Sequence, residues 1–160
     1  MRTHISFLLF VAIVFFAGCD SGPSRPGDLP KLHLVKITFT QDGTPLQGAN
    51  VTLLSTTTQT YGSASGTTDA SGVVVPGTYG FDGVPEGEYI VSVSKTVIEG
   101  GTERMDGNVR LTVGGNVYQF VHADYLDAGQ SPLRITVSGP MSQTFDVGAP
   151  VRVFVMSNNE

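Results

Sequence analysis

His122-Ala123-Asp124, with Asp127 close behind, is the one run in this chain whose residue types and spacing suit a metal ion. A zinc or transition-metal site takes three or four convergent ligands at defined spacing. One imidazole and two carboxylates make a sparse set, and a solvated loop is the competing reading. Glu86 and Glu88 are spaced as a candidate acid and base, yet beside Pro85 and Gly87 they read more simply as a solvated strand edge. Asp69 offers a single carboxylate where calcium takes six to eight oxygens, so Asp69-Ala70-Ser71-Gly72 reads as a tight turn. Ser71 and Ser94 have no partnering base in view, so no catalytic residue is assigned. His33 falls in the polar phase of its segment and is expected at the surface. The glycine-rich stretches do not follow a strand and open a helix, so they form no phosphate cradle. Tyr61, Tyr79 and Tyr118 are the candidate binding anchors, because exposed aromatics dominate many interfaces. The remaining reactive group is the only thiol, Cys19, at the end of an apolar run.

That run gives Cys19 its meaning. Met1-Arg2-Thr3-His4 is followed by apolar residues from Ile5 to Ala17, then Gly18 and Cys19. A basic start, an apolar stretch and small residues before a cut site mark a secretory signal. The span from Ile5 to Gly18 is 14 residues, short of the roughly 20 that cross a bilayer as a helix. A plain cleaved signal would leave a lone free thiol in an oxidising compartment. Phe16-Ala17-Gly18-Cys19 resembles a bacterial lipobox. The resemblance implies a signal peptide over 1–18 and Cys19 as a diacylated, palmitate-type N-terminus. It also implies a lipoprotein of the cell envelope whose domain lies outside the cytoplasm. Two or more acyl chains hold stably where one holds reversibly. In some lineages an aspartate at the position of Asp20 retains such proteins in the inner membrane; which membrane applies here stays open.

Without residues 1–18 the chain has 142 residues, eight basic against fourteen acidic side chains, and a net charge of −6. That balance argues against non-specific nucleic-acid binding, which needs a basic patch. With no second cysteine, a hydrophobic core must hold the fold. Abundant Gly, Ser, Thr and Val, and no apolar run at helical spacing, suit short strands joined by turns.

Residues 19–31 form the lipidated cysteine and a tether, with Pro23, Pro26 and Pro30 favouring extended backbone. From Leu32 the pattern has period two, with Leu32, Leu34, Ile37 and Phe39 inward and an offset, readable as a bulge, at Val35-Lys36. Asp42-Gly43 turns the chain. Ala49, Val51 and Leu53 alternate in a second strand, and 55–66 reads as a Ser/Thr-rich loop or ragged edge. Tyr89, Val91 and Val93 mark the clearest strand. Residues 96–116 hold an insertion, exposed and polar to Gly107; Gly114-Gly115 predicts a hairpin between 108–113 and 116–121. Leu133–Val137 and Thr144–Val147 read as a closing pair turned by Ser138-Gly139-Pro140, before a last strand at 151–155. This spacing predicts an all-β, antiparallel Greek-key β-sandwich of seven to nine strands over 32–160.

Gly43-x-Pro45-Leu46-x-Gly48-Ala49-x-Val51-x-Leu53 resembles the opening of carboxypeptidase-regulatory-like domains, which have a transthyretin-like (prealbumin-like) fold. Thr68-Asp69-x-x-Gly72 and Val84-Pro85-x-Gly87-x-Tyr89-x-Val91 continue the likeness in order. Related pilin and adhesin modules form an isopeptide bond from a Lys and a Glu; the matching positions here are Thr38 and Val93, which cannot. The C-terminal motif of transthyretin-like hydrolases is likewise missing. The resemblance implies a membrane-anchored, non-enzymatic structural or protein-interaction module without cofactor. Its partners would be the membrane, through the lipid anchor, and envelope proteins or glycans. The alternatives are a carbohydrate- or peptide-binding accessory of a surface enzyme or uptake system, presenting Tyr61, Tyr79 or Tyr118, and a metal carrier using His122, Asp124 and Asp127.

Overall fold

The computed structural model describes residues 24–157; the expected signal peptide over 1–18 and Cys19 lie outside the described residues. In chain order the strands are β1 (Leu32–His33), β2 (Val35–Gln41), β3 (Thr44–Pro45), β4 (Asn50–Ser55), β5 (Ser63–Thr67), β6 (Val73–Val74), β7 (Gly77–Thr78), β8 (Phe81–Asp82) and β9 (Val84–Pro85). They continue as β10 (Gly87–Ser94), β11 (Thr96–Glu99), β12 (Thr102–Asp106), β13 (Val109–Val113), β14 (Asn116–Gln119), β15 (Arg134–Val137), β16 (Met141–Asp146) and β17 (Val153–Ser157). One 3-10 turn, η1 (Ala123–Tyr125), interrupts them. The protein is all-β, as its composition predicts. Strand segments outnumber the expected seven to nine because two-residue bridges such as β1, β3 and β9 divide longer runs.

Two layers enclose the core. One is a six-stranded sheet ordered β15-β10-β4-β5-β7-β8, and the other runs β16-β2-β3 with β6 also paired to β2. Period two explains the pairing: in β4 and β10 alternate residues are fully covered, and Val51 lies opposite Val93 while Leu53 lies opposite Val91. Val35, Ile37 and Phe39 of β2 join these residues, Tyr89 and Val137 in one cluster. Each fully buried Val, Leu, Ile or aromatic side chain contributes about 1.5–3 kcal/mol over its exposed state. Asp42-Gly43 joins β2 to β3 with positive φ at both residues, as a two-residue hairpin requires.

Several expectations are corrected. His33, Val35, Ile37 and Phe39 form one unbroken inward phase, so no bulge falls at Val35-Lys36, and Leu34 rather than His33 is exposed. Within 55–66, residues from Ser63 onward form β5 on β4, where alternating backbone pairing outweighs the polar side chains. Ser138-Gly139-Pro140 does not close a hairpin. It carries the chain from the six-stranded sheet to the other layer, where β16 runs parallel to β2 and Phe145 stacks 5.8 Å from Phe39. The C-terminal part of the tether is packed: Leu29 is buried among the described residues.

The insertion is ordered as strand. β13 pairs with β12, and β14 pairs with β11, in one unshifted antiparallel register that turns at Gly107-Asn108. Gly114-Gly115 therefore makes no hairpin. It faces Gly100-Gly101 at an interruption of this ribbon. β17 adds to β14, giving a three-stranded sheet ordered β11-β14-β17.

Candidate functional site

β7 and β8 form a two-residue hairpin like that between β2 and β3, with Thr78 opposite Phe81 and only Tyr79-Gly80 between them. Both linking residues have positive φ, 53° at Tyr79 and 84° at Gly80. Turns of this kind favour Asn, Asp or Gly at the first position. A bulky side chain there is an outlier, and residues held in such regions cost on the order of 1–3 kcal/mol. The hairpin is pinned from below, since Thr78 is buried and its hydroxyl donates to the Gly83 carbonyl at 2.8 Å. Tyr79 is 68% exposed at the tip.

Tyr61, from the loop between β4 and β5, meets it edge to face with ring centroids 5.7 Å apart. The Tyr61 hydroxyl donates to Asp28 Oδ1 at 2.8 Å, and this hydrogen bond raises the phenol pKa, with smaller contributions from burial and the Asp28 charge. Arg25 sits 5.9 Å from the Phe81 ring. The structure thus brings two of the three predicted tyrosines into one aromatic pair, Tyr79 exposed and Tyr61 half-buried. The same loop shapes an open groove of about 420 Å³, lined by Leu54, Thr56, Thr57, Gln59, Thr60 and Gly62 among others. Among the described residues, no charged side chain lines it. Tyr61 stands between two lining residues, Thr60 and Gly62.

Tyr118 lies apart, on the three-stranded sheet. Arg152 covers its ring with the guanidinium carbon 3.6 Å from the centroid, and Phe154 meets it edge-on at 5.9 Å. Glu99 hydrogen-bonds Arg152, which lowers the Glu99 pKa and raises that of Arg152. Tyr118 is therefore part of a stacked ladder and not a free platform.

The three metal candidates do not converge on one point: His122 and Asp124 meet, and Asp127 is engaged elsewhere. His122 Nδ1 lies 3.2 Å from Asp124 Oδ2 and accepts from the Asp124 amide, capping η1. Asp127 Oδ1 instead accepts from the Gly129 amide in its own turn. Among the described residues no group of three or more His, Cys, Asp or Glu side chains is placed to hold a metal ion. The 69–72 turn is built as expected: Asp69 Oδ1 accepts from the Ser71 hydroxyl and from the Ser71 and Val73 amides. The Ser71 hydroxyl, followed by the Val73 amide, lowers the Asp69 pKa.

Two polar contacts escaped sequence reasoning. His33 is buried and its Nε2 lies 2.9 Å from Glu86 Oε1, so Glu86 is a partner to an imidazole and not half of a carboxylate pair. Asp146 holds the β2–β3 turn, accepting from Thr40 Oγ1 at 2.7 Å, Gly43 N at 2.9 Å and Gly148 N at 2.7 Å. No local pattern marks it, because Thr40 and Asp146 are neighbours only through the parallel β2–β16 pair.

The fold and this surface define an all-β, sandwich-type domain with an exposed aromatic tip. The chain matches no protein family, no curated protein and no solved structure.

Proposed function

We propose that the protein is an envelope lipoprotein, acylated at Cys19, whose transthyretin-like, carboxypeptidase-regulatory-like sandwich serves as a non-enzymatic protein-interaction module. The anchoring part is supported by the signal architecture of 1–18 and the lipobox-like residues before Cys19. The domain part is supported by the motif residues: Asp42-Gly43 turns, Pro45 sits in the short strand β3, and Ala49, Val51, Leu53, Tyr89 and Val91 fill the core.

The observation that carries the interaction reading is the three-stranded sheet β11-β14-β17. Val97, Ile98, Val153, Phe154, Val155 and Met156 are all more than a third exposed on its two outer strands. Among the described residues, β11 and β17 are edge strands that pair only with β14, as strand-addition partners require. Of the carboxylates weighed for chemistry, Asp69, the calcium candidate, accepts within its own turn, and Glu86, half of the acid–base candidate pair, meets His33.

Site-specific photocrosslinking in cells tests this. A photoreactive residue at Ile98 or Phe154 is expected to give a discrete protein adduct, and one at Lys36, on the other layer, is not. Adducts of equal yield at all three positions, or at none, overturn the interaction reading. Cys19→Ser is expected to abolish labelling by a clickable palmitate analogue; persistent labelling overturns the anchor.

A further inference from the structure

We infer that the Tyr79–Tyr61 tip and the groove beside Tyr61 form a binding site for a neutral glycan, stacked on the Tyr79 ring and hydrogen-bonded along the groove. The inference is independent of the anchor and of the β11-β14-β17 surface.

Three features point to this ligand class. Tyr79 keeps its ring in solvent at a backbone position that favours Asn or Gly, so the fold holds an exposed aromatic where a small residue would be more stable. Strain of this kind, together with exposure, marks a surface kept for contact and not for packing. The edge-to-face Tyr61 ring then braces Tyr79 on one side and leaves the rest of its aromatic surface to solvent. Aromatic faces accept the C–H surface of a pyranose ring, an amphipathic ligand with an apolar face and a polar rim.

The groove supplies the polar complement. Its lining is hydroxyls and an amide from Thr56, Thr57, Gln59 and Thr60 over the exposed Leu54 side chain. Hydroxyls and amides both donate and accept, matching a sugar's hydroxyls. Among the described residues the lining has no cation to hold a phosphate, sulfate or uronate and no carboxylate to hold an amine. Asp28 accepts from Tyr61, and Glu88 meets the lining residue Thr56 through its backbone carbonyl. A groove of about 420 Å³ falls in the ordinary range of small-ligand sites, roughly 300–1,000 Å³.

The test is calorimetric titration of the full chain, in a polyoxyethylene detergent, with cellohexaose, xylohexaose, mannohexaose and maltohexaose. At least one is expected to bind, with affinity reduced about tenfold or more in Tyr79→Gly, as truncating an anchor aromatic does. Because Gly suits φ 53°, Tyr79→Gly is also expected to raise the melting temperature, which separates lost binding from lost folding. Tyr118→Ala is expected to leave the affinity unchanged. No binding of any of the four at millimolar concentration, or equal affinity in Tyr79→Gly, overturns the proposal. So does tyrosine quenching by brominated lipid in vesicles that disappears in Tyr79→Gly while no sugar binds, which would make the tip a membrane contact.

Discussion

His33 Nε2 lies 2.9 Å from Glu86 Oε1, joining a ring that is 5% exposed to a carboxylate that is 64% exposed. The contact ties β1 to the residue between β9 and β10, beside the two-residue β1–β9 bridge. Removing a partner from a buried polar group costs more than the bond itself contributes. Glu86→Ala is therefore expected to lower stability by about 1 kcal/mol, and Glu86→Gln by less because the amide still reaches the ring. Urea denaturation of the two variants checks this; equal losses would show that the hydrogen bond contributes nothing.

Asp146 sets an acid limit on stability. The Thr40 hydroxyl, followed by the Gly43 and Gly148 amides, donates to its carboxylate and lowers its pKa to about 2. An unfolded aspartate titrates near 3.9. A group depressed on folding stabilises the native state fully above its unfolded pKa, and that contribution is lost as pH falls toward the folded value. The melting temperature of the wild type is expected to exceed that of Asp146→Asn at neutral pH, with the gap closing between about pH 4 and pH 2. A gap that stays constant over that window would remove Asp146 from the account.

Tyr89 is fully buried, and its hydroxyl donates to the Pro85 carbonyl at 3.0 Å. Burial raises the phenol pKa. Tyr89→Phe keeps the ring in the core but leaves that carbonyl without this donor, so a loss of about 1–2 kcal/mol is expected. Tyr89→Ala adds a cavity and is expected to cost about 3–5 kcal/mol. Chemical denaturation of both variants separates the hydroxyl from the ring.

How much of this was legible in the sequence followed from which surfaces are buried on one side only. Ala49, Val51, Leu53, Tyr89, Val91 and Val93 alternate with exposed or part-exposed neighbours, so period two named them as core. His33 misled because leucines flank it. Leu32 and Leu34 suggested the opposite phase, and only the Glu86 partner makes an inward imidazole affordable. The closing pair misled because a short polar turn looks the same whether it links neighbours or crosses between layers. The Tyr61–Tyr79 pair joins loops 18 residues apart, and each tyrosine alone carried no geometric signal. Asn108–Val113 misled for a related reason. Solvent on both faces of the β12–β13 ribbon removes any burial pattern, so Gly114-Gly115 looked like the turn.

Those glycines carry the last prediction. A Cβ on Gly115 would lie 2.6 Å from Gly101 N and 2.7 Å from the Glu99 carbonyl oxygen, and φ at Gly115 is 88°. Backbone on both sides leaves no flexible side chain to yield, so Gly115→Ala must open the crossing of the two glycine pairs. The ribbon beyond it, β12 and β13, is exposed along nearly its whole length and adds nothing to the core cluster. Stability of such a segment is local, and its opening need not unfold the body. Gly115→Ala is expected to speed amide exchange across residues 102–113 while leaving exchange in β4 and β10, and the melting temperature, unchanged. A fall in melting temperature comparable to that of a core truncation would instead show that the ribbon belongs to the cooperative unit of the sandwich.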